Sequence, residues 1–328
     1  MNRKNFKQLL EKYGIVYVFM VVFLVFSVLS PAFFTKNNLI NIIRQVSMLG
    51  ICAVGMTFII LTGGIDLTVG SIMGLTGTIC AKAMVSWGFH PVLAILIALI
   101  AAACCGALNA WLVTTVNIPP LITTLGMMGV LRGFVYILCG GLPIYGFTKK
   151  FKVIGQGYLG FIPVPVIIMV AVFMFAHVFL NRSRYGRYTY GLGGNEEATR
   201  LAGVNILQQK YLLYTISGLC SGIAGIVMLS RLNSAQPTTG IGFEMNVVTA
   251  VVLGGISIAG GEGKLSGVIT GVLIIGVLTN GMILINISSY WQSVVQGTVL
   301  LLAVGVDQYM QQRQTQTSVL VEKGGEVA

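Results

Sequence analysis

Charge is what this chain has least of. Lysine, arginine, aspartate and glutamate together make up 9% of its 328 residues, and only nine of them are acidic, against about a quarter charged in an ordinary soluble chain. That shortage excludes a soluble globule: a single core hiding so much apolar sequence would still need a charged surface, and such cores stop growing near ~250–300 residues. Histidine is almost missing; the two present, His90 and His177, are isolated from each other and suit loop or packing roles. The six cysteines, Cys52, Cys80, Cys104, Cys105, Cys139 and Cys220, fall inside or at the ends of apolar runs, with no C-x-x-C. They read as small buried hydrophobes, not as metal ligands or a disulfide frame. Enzyme signatures are missing too: there is no H-E-x-x-H, no G-x-S-x-G, and no pair of carboxylates or histidines within an apolar run. GGEGK at Gly260 to Lys264 resembles a phosphate loop, but Leu265 stands where serine or threonine is needed and Ile258 where the first glycine should be. No ATP site follows from it.

What is present is apolar sequence. Hydrophobic residues make up 55% of the chain and mean hydropathy is +0.88. Matched against the roughly 20 residues needed to cross hydrocarbon, the apolar windows predict an all-α integral membrane protein of about ten transmembrane helices. The candidate spans are Tyr13 to Leu29, Val46 to Leu61, Val69 to Val85, Val92 to Val116, Leu121 to Leu138, Val164 to Leu180, Tyr211 to Leu229, Met245 to Ile258, Val268 to Ile285 and Trp291 to Val306. The second and eighth are short. The basic start MNRKNFKQLLEKYG superficially resembles a signal peptide, but the run after it ends in SVLSPAFF without an A-x-A-like site, so it is retained as the first span.

The formal net charge is +11, yet the basic residues lie in short polar segments and form no basic stripe, so no nucleic-acid partner is expected. Arg3, Lys4, Lys7 and Lys12 precede span one; Arg182, Arg184, Arg187, Arg200 and Lys210 lie between spans six and seven; Arg313 and Lys323 follow span ten. With ten spans these segments share one side, which the positive-inside rule makes cytoplasmic. Lys149, Lys150 and Lys152 then fall outside and argue mildly against that arrangement. The expected organisation is a cytoplasmic N-terminal tail over residues 1–12, a transmembrane domain over 13–308 with a cytoplasmic loop at 181–210, and a cytoplasmic C-terminal tail over 309–328.

Glycine is abundant, with 42 residues, nearly twice its usual share. Four-residue glycine spacing, as in Gly70 to Gly74 and Gly267 to Gly271, lets helix backbones approach closely in lipid. Two segments resemble each other: TGGIDLTVGSIMGLTG from Thr62 and LGGISIAGGEGKLSGVITG from Leu253. Short glycine-interrupted segments in the two halves of a transporter point to broken or re-entrant helices around a translocation path. Gly63, Gly64, Asp66, Gly254 and Gly255 are the candidates at those breaks, with Asn280 as a further polar residue for the path. Buried unpaired in hydrocarbon, Asp66 would cost about 2.5–3.5 kcal/mol. Three placements avoid that: the N-cap of a helix beginning at Leu67, a partner of a positive charge, or a wet cavity at a helix break. Otherwise the spans hold almost no ionisable residues, so the relay of a proton- or voltage-driven carrier is missing and the driving energy is expected from another subunit.

The polar segment Arg182 to Lys210 spells a short, separately capped helix. Asn195 is its N-cap, Glu196 and Glu197 stand in the first turn where the helix dipole favours anions, Arg200 follows, and Gly203 is the stop. Ala198, Leu201 and Ala202 give it a small apolar face, suited either to a partner's groove or to a solvated interface.

LTGGIDLTVGS, GGNEEATRLAGVN and RLNSAQPTTGIGFEMNVVTAVVLGGISIAGGEGKLSG together resemble the permease subunit of the ribose-type sugar ABC importers, and the likeness runs from SPAFFTKNNLINIIRQ to SSYWQSVVQGTVLLLAVGVD. The resemblance implies a type II importer-like permease in the bacterial cytoplasmic membrane. It implies a homodimer around a central path, a cytoplasmic ATPase with two domains, often fused in tandem, and an extracytoplasmic sugar-binding protein. In that scheme the chain is not an enzyme and holds no cofactor, ATP being bound by the partner. The segment Asn195, Glu196, Glu197, Ala198, Arg200, Leu201 and Gly203 resembles the coupling helix seated on the ATPase, and the cargo is a monosaccharide, a ribose-like pentose or a hexose. Within the class the rivals are permeases for autoinducer-2 or branched-chain amino acids. Outside it stand a secondary carrier working alone, disfavoured by the missing relay, and a membrane scaffold, which leaves the glycine breaks without purpose.

Overall fold

A computed structural model describes residues 3–325, with side chains over 14–309. Its elements in chain order are α1 (Arg3–Leu29), α2 (Lys36–Ile60), α3 (Val69–Val85), α4 (Pro91–Thr114), α5 (Pro120–Cys139), α6 (Lys149–Gln156), β1 (Tyr158–Leu159), β2 (Ile162–Pro163), α7 (Val164–Arg182), α8 (Arg184–Gly194), α9 (Glu196–Leu201), α10 (Ile206–Leu232), α11 (Phe243–Leu253), α12 (Leu265–Leu284) and α13 (Ser289–Gly325). Helices carry nearly everything. The exception to the all-α expectation is the pair of two-residue strands β1 and β2, antiparallel with Tyr158 opposite Pro163. The expected tails do not stand apart from their spans, because α1 and α13 extend into them; the side chains of residues 1–13 and 310–328 lie outside the described residues.

Among the described residues seven helices are long and apolar enough to cross a membrane: α2, α4, α5, α7, α10, α12 and the Ser289–Tyr309 part of α13. Three shorter apolar helices accompany them, Gly14–Leu29, Val69–Val85 and Phe243–Leu253. Their starts follow from the local sequence. Pro91 and Pro120 open α4 and α5, where the missing N–H would be unpaired in any case. Asn205 opens α10 by accepting from the Gln208 N–H at 3.0 Å. Two spans differ from expectation. The second begins ten residues before Val46, because Thr35 caps the helix at Lys36; Lys36 and Asn37 are exposed, Asn38 is buried and bonded to the Phe33 carbonyl, and Arg44 donates to the Gln156 carbonyl. The eighth is shorter, stopping at Leu253 where Gly254 and Gly255 end the helix.

α2 is buried along most of its length and α10 packs against it, with α3 and α4 on one side and α11 and α12 on the other. The glycine pairs lie where backbones meet. A Cβ at Gly70 or Gly74 would run into the carbonyls of Gly240 and Thr239, and one at Gly267 or Gly271 into those of Gly254 and Ala250. Lipid gives helices no hydrophobic reason to associate, so close approach of this kind is what holds the bundle together. The loop 233–242 therefore does not stay at the bundle's end: its Ala235 bridges Ile144 there, while its Gly240 reaches the first turn of α3 at Gly70.

Candidate functional site

α8 and α9 form the polar connection between α7 and α10. Ser183 starts α8 at once after α7, its hydroxyl accepting from the Gly186 N–H at 3.1 Å. Gln209 of α10 then holds α8 in place, donating to the Tyr185 carbonyl and the Thr189 hydroxyl at 2.9 Å each. Asn195 both ends α8 and opens α9: its N–H donates to the Gly191 carbonyl and its Oδ1 accepts from the Ala198 N–H, both at 2.9 Å. Gly203 stops α9 in the left-handed region at φ 84°. The cap, first-turn acids and stop are thus where the sequence puts them, whereas α8 itself was not foreseen. Glu197 pairs with Arg200 at 2.6 Å and Glu196 with Lys210 of α10 at 2.9 Å; exposed pairs of this kind are worth about 0–1 kcal/mol each. Ala198, Leu201 and Ala202 are all exposed, Leu201 by 79%. Beside them runs a groove of about 420 Å³ lined by Arg187, Tyr188, Asn195, Thr199 and Val204.

Asp66 lies in the break between α2 and α3. The chain turns at Gly63 (φ 75°) and runs back into the bundle to begin α3 at Val69. Asp66 is fully buried. Its Oδ1 accepts from the Thr68 N–H at 3.0 Å and from the Thr68 hydroxyl, and its Oδ2 from the Ser217 hydroxyl of α10 at 2.8 Å. Asn109 of α4 donates to Thr68 Oγ1 at 2.9 Å, and Thr124 of α5 donates to the Ile65 carbonyl at 3.0 Å. The N-cap placement falls: the helix begins at Val69 with Thr68 as its cap residue and no side-chain capping bond, and the contact of Asp66 to the Thr68 N–H belongs to the turn before it. Among the described residues no lysine or arginine reaches ion-pair distance of Asp66, so the positive-partner placement falls; three neutral donors, two from Thr68 and one from Ser217, hold the carboxylate instead.

The second break, Gly254 to Lys264, comes to the same end of the bundle. The Gly261 N–H donates to the Leu61 carbonyl at 2.9 Å, and the Tyr190 hydroxyl of α8 to the Gly263 carbonyl at 3.1 Å. Partial burial raises the Tyr190 phenol above its ordinary value, so it remains a donor at any physiological pH. Gly63, Gly64, Gly254 and Gly255 thus flank one junction, the two look-alike segments being neighbours in space. Asn280 is not there. It lies near the far end of α12, where it and Asn38 exchange amide hydrogen bonds at 3.0 Å in both directions, and Asn38 also donates to the Phe33 carbonyl at 2.9 Å.

The expectation of almost charge-free spans needs correcting at three residues. Lys82 of α3 donates to the Leu138 carbonyl at 2.8 Å. Arg132 of α5 donates to the carbonyls of Thr239 at 2.7 Å and Pro237 at 3.1 Å, clamping the loop that dips to Gly240. Glu244, buried in the first turn of α11, faces Gly70. Lys82 thus satisfies a carbonyl in the last turn of α5, while Arg132 and Glu244 sit beside the irregular loop before α11, which makes a charge tolerable at those positions. The lone arginine within LGMMGVLRGF was the signal available for the first of these two loop contacts.

A family model described as the permease component of branched-chain amino acid transport systems matches residues 38–304. The chain belongs to this permease family. The matched stretch runs from α2 into α13 and takes in both breaks, α8 and α9. The permease is 42% identical over 307 residues to the ribose import permease protein RbsC of Bacillus subtilis, covering 93% of the chain and 95% of the relative. It is 45% identical over 292 residues to RbsC of Escherichia coli K12 (88% and 91%), and 37% identical over 307 residues to the L-arabinose transport system permease protein AraH of the same strain (94% and 93%). No solved structure matches the permease.

Proposed function

We propose that this permease is the membrane-spanning subunit of an ATP-driven importer for a monosaccharide, a ribose-like pentose or a hexose, in the bacterial cytoplasmic membrane. Two copies would form the path, a cytoplasmic ATPase of two domains would supply the power, and an extracytoplasmic binding protein would deliver the sugar. The observation that carries this reading is the likeness, over about nine tenths of both chains, to permeases of ribose and arabinose. The exposed apolar face of α9 supports it, since Ala198, Leu201 and Ala202 are uncovered by the chain itself and suit a partner's groove.

Ten crossings follow when the seven long helices are joined by the three shorter apolar ones. α11, with 11 residues, is only about 16 Å long, roughly half the hydrocarbon thickness; the dipping loop to Gly240 makes up the rest of that crossing. The termini and α9 then share the cytoplasmic side. Transport is a population shift between two packings of the helices, biased by the nucleotide state of the ATPase. The permease holds no strong sugar site of its own in this scheme, because a site that must release its cargo binds it weakly.

The test is uptake of labelled ribose by vesicles holding the permease with its ATPase and binding protein. Accumulation that requires ATP and all three components is expected. Uptake by the permease alone would replace this reading with a secondary carrier. ATP-driven uptake of leucine but of no sugar would shift the cargo to the amino acids for which the family is described.

A further inference from the structure

Three backbone segments meet edge to edge at the α9 end of the bundle, each touching the other two, and one of them leads directly into α9. A Cβ at Gly193, in the last turn of α8, would collide at once with the Leu61 carbonyl and with Gly260 and Gly261. A Cβ at Gly260 would in turn strike Gly63 and Gly193, and one at Gly261 would strike Gly194. Hydrogen bonds close the same seam: the Gly261 N–H to the Leu61 carbonyl at 2.9 Å, and the Tyr190 hydroxyl to the Gly263 carbonyl at 3.1 Å. Beyond Gly194 only Asn195 separates the seam from the first residue of α9. From Leu61 the chain runs within five residues to the buried Asp66, and from Gly261 back within seven to Gly254, where α11 packs on α12. Packing of this kind has no slack, because backbone cannot rotate out of the way as a side chain can.

We infer that Gly193, with Tyr190 beside it, is a positioning wedge that makes α9 mechanically continuous with both helix breaks, so that a displacement of α9 moves the α2–α3 break and the α11–α12 loop together. The inference rests on the importer reading and adds to it which intramembrane elements α9 drives. It also gives a purpose to GGEGK, whose spacing does not meet that of a phosphate loop: Gly260 and Gly261 supply the side-chain-free surface against which α8 fits, and both stand at positive φ, 88° and 75°. The wedge touches both of the segments whose sequences resemble each other, at the place where they also touch one another.

The test uses the permease purified with its ATPase in lipid nanodiscs. Thr62→Cys and Ala259→Cys, one in each break, are labelled with a water-soluble maleimide before and after trapping the ATPase with ATP and vanadate, and the unlabelled parent gives the background. Trapping is expected to change the labelling rate at both positions together by about fivefold or more, within the usual range of coupling between linked sites. Gly193→Ala should abolish that response, and Tyr190→Phe, which removes one hydroxyl, should weaken it, while co-purification of the ATPase and vanadate trapping stay intact. A merely structural glycine would not separate trapping from the response. Full response in both variants overturns the inference, as does a parent whose reporters ignore trapped vanadate. If Gly193→Ala does not assemble, Tyr190→Phe decides alone. Failure of any ATPase to co-purify or trap vanadate would instead bring down the importer reading, and the wedge with it.

Discussion

At Asp66 a single carboxylate sits in a helix break with no counter-charge at ion-pair distance among the described residues. Three donors converge on it, the Thr68 N–H, the Thr68 hydroxyl and the Ser217 hydroxyl, and a buried donor left without its acceptor costs about 1–3 kcal/mol. Asparagine keeps one carbonyl oxygen for Thr68, and its amide can donate to a rotated Ser217 hydroxyl. Asp66→Asn should therefore retain most transport and lie within about 1 kcal/mol of the parent, whereas Asp66→Leu, orphaning all three donors, should lose assembly or activity. Thermal unfolding in detergent alongside uptake separates them, and equal, near-total loss in both variants would mean that the charge itself is required. At the opposite end of the bundle Asn38 and Asn280 present a different residue-scale case, a reciprocal amide pair between α2 and α12. Interhelical hydrogen bonds in membranes average about 0.6 kcal/mol and reach about 1.7. A double-mutant cycle with leucine at both positions should return a coupling energy in that range, with either single change worse than half the double; a coupling near zero would remove the pair from the account of what holds these helices.

Among the elements, α9 is the one whose whole construction was legible: N-E-E after two glycines, and a glycine stop, are local signals that need no tertiary help. α8 was not, because RYGRYTYGLGG carries four glycines and no apolar period. It is helical through contacts made elsewhere in the chain, with Gln209 holding the Tyr185 carbonyl and the Thr189 hydroxyl and Gly186 pressed on Leu180. α6 was read only as a basic loop, since its one fully buried large side chain, Phe151, shows its purpose only when packed on Phe147. The breaks around Gly63 and Gly254 were visible as look-alike segments, but their meeting on α8 depends on the three-dimensional path of α2 and α12 and left no mark in spacing. For α9 as a coupling element, reversing a first-turn charge in Glu197→Lys sets a cation against the helix N-terminus and against Arg200 at i+3. Gly203→Pro removes the N–H that donates to the Arg200 carbonyl and cannot adopt φ 84°. Both variants should keep the membrane fold and basal ATP hydrolysis while uptake per ATP falls; normal binding-protein-stimulated hydrolysis with normal uptake in both would take α9 out of the coupling role.

Across the whole molecule, sidedness is the property from which the other functional assignments follow. α10, with 27 residues, is about 40 Å long, and it carries α9 at one end through Glu196 and Lys210 and α6 at the other through Ser230, whose hydroxyl accepts from the Gly155 N–H at 2.7 Å. The two basic groups that competed in the charge count, Arg182 to Lys210 and Lys149 to Lys152, therefore lie at opposite ends of the bundle. The positive-inside rule can place only one of them in the cytoplasm. In the proposed importer the larger group, at the α9 end, would face the ATPase, which would leave Lys149, Lys150 and Lys152 as the exception outside, near the dipping loop and the end at which a binding protein would dock. An impermeant thiol reagent decides this: Leu201→Cys should react in inverted vesicles and stay protected in intact cells, and Lys150→Cys should do the reverse. Leu201→Cys reacting from the cell exterior would invert the molecule, and with it the position of the ATPase, the binding protein and the direction of transport.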